Sequence, residues 1–410
     1  MQRFSGWAVA LVLWCSATAQ AEIQTQAGWD GQLFPSFIIA TATIRLPEDA
    51  VEDYDNSQVL GDRQGLLGVT VTAPEDDTPI KVTVSCDAIL EPSTFNGTLE
   101  TEGESYTVLP KIRYKYATLA RQHQPGPVTV TFKVQVGDDV EEMSQTLTLR
   151  SINDCPFLVV QDDETMDTCF MFAAYVNEQH PFVDKLLREA LDTEVVDSFT
   201  GYQTKDPQET YRQVYALWHA LSERDLRYSD ITTSAADSDC VASQHVRMID
   251  ESINNAQANC VDGSVLLASL LRKVGIEPML VMTPGHCYLA FYLDAEGKQL
   301  AALETTLLGS TPEEATELTD LDGLLDDEWT EENSWRTFTA ALAIGTGDLQ
   351  KNAEKFAAGD DNDYQLINIA AARKIGILPI AFQADHAFVA APSPKASGDD
   401  DEGDEDEDEE

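Results

Sequence analysis

Between about Glu22 and Asn153, apolar and polar positions alternate with a period of two. Strands are predicted at Phe37–Leu46, Val69–Thr72, Val82–Ser85, Tyr106–Leu109, Ile112–Tyr116, Val128–Val136 and Met143–Leu149. Period two gives each strand one apolar face, and two such faces make a core. Pro74-Glu75-Asp76-Asp77 separates one strand pair, and Gly137-Asp138-Asp139 is a hairpin turn between another. Short β-branched strands with frequent turns predict an all-β, sandwich-like domain over 22–153. Its residues form no cluster of His, Cys or carboxylates, so it reads as a packing or recognition module. Asn96-Gly97-Thr98 fits a glycosylation sequon, although Asn-Gly is more simply a turn.

The period lengthens after Thr168. Ala173–Leu191 reads as helix with a break at His180-Pro181. Asp206-Pro207-Gln208-Glu209 has the order of a helix start, with Asp at the N-cap, Pro at N1 and Glu at N3. Tyr211, Val214, Tyr215, Trp218 and Leu221 then share one face. Val265–Val274 is a strongly apolar helical run that Gly275 closes. Strands are predicted at Met279–Met282, Cys287–Leu293 and Leu300–Leu303, with a turn at Asp294-Ala295-Glu296-Gly297. From Pro312 to Ile380 the chain is acidic at first (Thr319–Glu332), then helical at Leu349–Ala357 and Leu366–Lys374. The region 165–381 is therefore an α+β domain with a C-terminal extension.

Both ends change the picture. Arg3, the apolar run Trp7–Trp14 and the A-x-A pattern at Ala19-Gln20-Ala21 make residues 1–21 a signal peptide cleaved near Ala21. The run is too short to span a bilayer, and no later run reaches the length of a transmembrane helix. The expected location is periplasmic or extracellular. At the other end Pro392-Ser393-Pro394 leads to Asp399–Glu410, where 11 of 12 residues are acidic. Such a block repels itself, so 392–410 is expected to be a disordered tail. The whole chain holds 72 acidic and 26 basic side chains, a formal charge of −46. Without the leader and the tail acids, 61 acidic still face 25 basic groups, a formal −36. That excludes nucleic acid as a partner and disfavours an anionic membrane. A hydrophobic fraction of 43% nonetheless supplies a sizeable core.

The chemistry concentrates at 254–306. Cys260 opens the apolar helix, and the partial positive charge of a helix N-terminus favours a thiolate there. His286 follows the turn Thr283-Pro284-Gly285 and begins a strand, and Glu304 ends the next one. A hairpin centred on position 295 sets His286 opposite Glu304, and a one-residue error in that centre leaves them diagonal neighbours. A thiol, an imidazole and a carboxylate in this order suit nucleophilic catalysis, with Cys260 attacking a carbonyl, His286 moving the proton and Glu304 orienting His286. An oxyanion also needs donors: the Cys260 backbone N–H is one candidate, and the side-chain amides of Gln257 and Gln244 are two more. Asp262 reads as a first-turn acid that complements the helix dipole. The cysteine and histidine spacings carry no zinc signature. His123, His180 and His219 read as packed or surface residues, and His386 has no partner visible in the sequence.

Asn259-Cys260-Val261-Asp262-Gly263-Ser264, Leu270–Ile276, Pro284-Gly285-His286 and Leu303-Glu304-Thr305-Thr306 together resemble the core of the transglutaminase-like superfamily. The resemblance spans about 60 residues and implies a papain-like fold. It also implies a Cys-His-acid triad at Cys260, His286 and Glu304, with Glu where the family pattern has Asp. The implied activity is cleavage or transfer of a peptide or amide bond through a thioacyl intermediate, on a peptide or protein substrate. Hydrolase and transferase are not separable from sequence, because loops shape the acceptor site. The competing reading is a non-catalytic binding protein built on an inactive domain of this kind. No cofactor is implied; the acidic surface or tail offers weak Ca²⁺ binding at most. Export favours disulfides among Cys86, Cys155, Cys169, Cys240 and Cys287, with Cys155 and Cys169 one candidate pair.

Overall fold

The computed structural model describes residues 22–44, 58–161, 164–230, 234–359, 362–380 and 386–391. The expected signal peptide and the acidic tail lie outside the described residues. The fold is mixed α/β, and the described chain divides into two compact units. One comprises 22–33, 58–115 and 126–148, the other 34–44, 116–125 and the residues from 149 onward.

The first unit is built from two main sheets. One runs in the order Ile23–Ala27, Leu67–Thr72, Ser105–Leu109, Val59–Gly61. The other runs Gln32–Leu33, Asp139–Leu149, Gly126–Val136, Thr78–Ser85, Ser93–Leu99. The alternation predicted from sequence sets the register. Ile80, Val82 and Val84 face Val136, Val134 and Phe132 across one ladder, and all six are buried. Thr83 and Thr94 meet on the opposite face, hydroxyl to hydroxyl at 2.9 Å.

Phe37–Leu46 is not the strand that its β-branched residues predict. Pro35–Ala40 is a helix with Pro35 in its first turn, and residues 45 and 46 lie outside the described residues. Ile38 and Ala40 are buried, Ala40 in the core of the second unit, and the Ala40 carbonyl accepts from the Leu378 amide. Proline's fixed φ suits a helix start, and tertiary burial overrides a propensity worth only tenths of a kcal/mol per residue.

The second unit places the helix Cys260–Val274 against an antiparallel sheet. Val261–Leu271 is buried throughout, which explains why the run is apolar on every side. Each fully buried Leu there stabilises the fold by about 2 kcal/mol. Gly275, at φ +84°, closes the helix as the sequence predicts. The sheet runs Leu300–Leu303, His286–Tyr292, Pro278–Thr283, Gln365–Asn368. Its last strand falls where Leu366–Lys374 was expected to be helical. The Asn368 side chain accepts from the Ala371 amide at 2.8 Å and starts the helix only at Ile369, so Leu366 and Ile367 remain extended and pair with Pro278–Thr283. A second sheet orders Glu164–Asp167, Asp154–Gln161, Val241–His245, Ser234–Asp237.

Two further helices brace this core. Pro207–Glu223 begins as predicted, with Asp206 accepting from the Gln208 amide at 3.0 Å. Asn333–Lys351 starts well before the expected Leu349 and lies along Leu300–Leu303. The two helices share polar contacts: Trp218 donates to Thr337 at 2.9 Å, and Tyr215 and His219 meet the Ser334 hydroxyl at 3.0 and 2.8 Å. His219 is thus a packed residue, and burial lowers its pKa. His180 caps the helix Pro181–Asp192, its Nδ1 accepting from the Phe182 amide. His386 does have a partner, contrary to the sequence reading: its Nδ1 lies 2.6 Å from Asp250.

Candidate active site

Cys260 is the first residue of its helix because Asn259 and Asp262 form a reciprocal cap. The Asn259 side chain accepts from the Asp262 amide at 2.9 Å, and Asp262 accepts from the Asn259 amide at 3.0 Å. Asp262 is fully buried, and its charge is met by Arg247, whose guanidinium lies at 2.7 Å and whose backbone N–H donates at 2.8 Å. An unpaired carboxylate two residues from Cys260 would oppose a negative charge on the sulfur. Arg247 offsets it, and nothing in the spacing of 247 and 262 announces the pair.

His286 opens its strand next to the turn at Pro284-Gly285. Its Nε2–H donates to Glu304 Oε2 at 2.7 Å. The other oxygen of Glu304 accepts from the Thr306 backbone at 3.1 Å and from its hydroxyl at 2.7 Å. The register between the strands is Leu289 with Leu303, so the residue opposite Glu304 is Tyr288. His286 therefore meets Glu304 diagonally, one turn-centre step from the expected alignment. The Glu304 amide donates to the Ala341 carbonyl at 3.0 Å, tying this strand end to the helix Asn333–Lys351.

Packing brings the two halves together. The Ser264 hydroxyl donates to the Cys260 carbonyl at 2.7 Å and sits 3.1 Å from the Thr305 hydroxyl. Gly263 permits this approach, since a Cβ there would lie 3.3 Å from Thr305. Hydrogen bonds with Cys260 and then with Glu304 raise the His286 pKa from 6.5 to about 10, against the lowering effect of burial. Because Nε2 is committed to Glu304, Nδ1 is left for Cys260. Burial pushes the Glu304 carboxyl up, but the bonds from His286 and Thr306 outweigh it and hold the group below its usual range. The imidazole, with its raised pKa, is thus held between a carboxylate and a sulfur.

A cavity of about 180 Å³ opens on Cys260 and His286. Gln244 lines it, placed by the strand Val241–His245. Gln257 does not; it pairs with Arg227 in a short parallel ribbon leading into Cys260. Of the two proposed amides, only Gln244 shares the cavity with the sulfur. The Cys260 N–H belongs to the first helical turn, where amides have no partner within the helix.

A scan against protein-family models finds no match, and a search of curated proteins finds no significantly similar sequence.

Other groups near the sulfur were not visible from sequence. Tyr228, 44% exposed, pairs with Ala258 just ahead of Cys260, and burial followed by the charges of Asp230, Cys260 and Glu304 raises its phenol. Cys169 shares the cavity; burial and then Asp167 raise its thiol to about 12. Cys287 is fully buried, as its position beside His286 on a strand predicts, and burial raises its thiol well above the usual range. No disulfide joins the six described cysteines. The expected Cys155–Cys169 pair is not formed: the Cys155 thiol faces the Pro156 carbonyl at 3.9 Å and the Cys169 thiol faces that of Phe157 at 3.6 Å. Among the described residues no group of three or more His, Cys, Asp or Glu is arranged to hold a metal.

Proposed function

We propose that this chain is an exported transglutaminase-like cysteine enzyme, with a sandwich-like β module and a papain-like core. It hydrolyses or transfers a peptide or amide bond of a peptide or protein substrate. The observation that carries the reading is the 2.7 Å contact between His286 and Glu304, with Cys260 on the same imidazole and at the mouth of one cavity. The Cys260 thiolate attacks the carbonyl carbon, and the carbonyl π electrons move to oxygen. The Cys260 N–H and the Gln244 amide are the donors that receive the oxyanion. As the tetrahedral intermediate collapses, the C–N bond breaks and the His286 proton goes to the leaving amine. Water, or a second amine, then attacks the thioester while neutral His286 takes its proton, and sulfur leaves as thiolate. Glu304 holds the ring orientation and stabilises the imidazolium throughout.

Iodoacetamide labelling across about pH 5 to 9, mapped by mass spectrometry, tests the nucleophile. Cys260 should react faster than glutathione below about pH 7, and His286→Ala should abolish the advantage. A Cys260 that labels no faster than glutathione sinks the enzyme reading and leaves the binding-protein reading standing.

A further inference from the structure

The cavity at Cys260 has walls of two chemical kinds. Phe157, Phe172 and Met282 give it an apolar side, and Asp167 and Asp363 give it carboxylates. No Lys or Arg is among the described residues that line it. Asp363 is exposed, while Asp167 is half-buried and held in place: it accepts from the Cys169 amide at 2.7 Å and from the Gln365 side chain. Both carboxylates line the same cavity as the Cys169 thiol and Cys260.

We infer that this cavity receives a basic side chain of the acyl donor, its alkyl stem against Phe157, Phe172 and Met282 and its cation at Asp167 and Asp363. The inference rests on the proposed activity and names its substrate class: peptide or amide donors with Lys or Arg beside the reacting carbonyl. The cavity's about 180 Å³ is below the usual range for a drug-sized ligand and suits one side chain. With Asp167 and Asp363 and no Lys or Arg, the described lining is net negative and partly apolar. A cation on a methylene stem matches both features. The same carboxylates argue against the chamber as the entry for an attacking amine. They stabilise the ammonium form, which has no lone pair for the thioester. The bound cation is therefore a recognition group on the donor, and the amine or water that attacks comes from elsewhere.

The test uses the full chain and three peptidyl chloromethyl ketones with Lys, norleucine or Glu next to the ketone. Norleucine keeps the stem and lacks the cation. The second-order rate of Cys260 modification should favour Lys over norleucine by about 3- to 10-fold, with Glu slowest. The advantage should shrink in about 0.5 M salt. It should also shrink in Asp363→Asn, and further when Asp167→Asn is added. Equal rates for Lys and norleucine, or an undiminished preference in both variants, overturn the inference. Saturable acceleration of thioester breakdown by free lysine, competing with the Lys peptide for the cavity, would also overturn it by making the chamber an acceptor site. Iodoacetamide separates the two levels of failure: if it reacts slowly at Cys260, the catalytic reading has failed; if it reacts fast while the peptides do not differ, only the substrate class has.

Discussion

Glu304 and His286 illustrate how one residue sets another's chemistry. The carboxylate is 8% exposed and accepts from His286 and twice from Thr306, so it stays ionised to unusually low pH. His286 gains from Cys260 first and Glu304 second, and keeps its proton to about pH 10. Glu304→Gln removes the charge and retains most of the shape. By NMR titration, the His286 midpoint in that variant should fall below that of the wild type, but stay above 6.5 because Cys260 remains. The effect on stability has a definite sign. A raised imidazole stabilises fully below its unfolded value of 6.5 and loses that contribution as pH rises through about 10. A depressed carboxyl stabilises above its unfolded 4.5 and loses the contribution as pH falls through its lower folded value. The wild type should therefore exceed Glu304→Gln most between 4.5 and 6.5, with the gap narrowing toward pH 10. With the His286 side chain 35% exposed, the gap should be about 1 kcal/mol, read from urea unfolding. A gap that widens with rising pH would contradict the pairing.

At the scale of elements, the helix Asn333–Lys351 carries two glycines with opposite prospects. A Cβ on Gly345 would sit 2.8 Å from the Ala302 and Leu303 backbone, while Gly347 has nothing within 4 Å. Alanine gains about 1 kcal/mol over glycine in a helix interior. At 347 that gain is unopposed, so Gly347→Ala should raise the urea midpoint. At 345 the helix must lift off the strand Leu300–Leu303, an overpacking that costs about 1–3 kcal/mol. Gly345→Ala should lower the midpoint and, because Ala341 anchors the Glu304 amide, slow iodoacetamide labelling of Cys260 as well. Equal effects from both substitutions would mean that this helix does not position the strand. The close approach also shows what sequence could and could not reveal. Cys260, His286 and Glu304 were legible because each sits at an element boundary with a local signal: a capping pair, a Pro-Gly turn, the end of an apolar strand. The hairpin centre was misplaced by one residue, which the diagonal contact tolerated. Gln244 and Gln257 stayed undecided because the choice depends on Asp154–Gln161 pairing with Val241–His245, a contact without local cause. The helix Pro35–Ala40 was misread because its apolar run serves a core whose other residues lie over a hundred positions away in sequence. Arg247 was missed for a similar reason: a lone Arg becomes a partner only once its loop is folded onto Asp262.

For the molecule as a whole, the acid excess and the placement of the few cations go together. Arg247 meets fully buried Asp262, Arg224 at 4% side-chain exposure meets Glu189, and Arg272 lies between Glu178 and Glu277. Arginines held in such pairs are not spread among the remaining carboxylates, and residues 22–398 carry a formal −36. Like charges spread over a surface repel across a screening length of about 30 Å at 0.01 M salt, and about 10 Å at 0.1 M. Raising salt should therefore relieve the repulsion and leave the buried arginine pairs largely untouched, since buried pairs are screened far less. The unfolding midpoint should climb from about 0.01 M to about 0.5 M sodium chloride, with most of the gain below about 0.2 M. A midpoint that is flat or falling would show that exposed ion pairs, which salt weakens, contribute more than the repulsion does. Calcium chloride at matched ionic strength discriminates further. If calcium and sodium curves coincide, the surface responds as a diffuse field; a calcium curve that rises above it marks carboxylates bound to the ion at defined places, because screening depends on ionic strength and binding on identity.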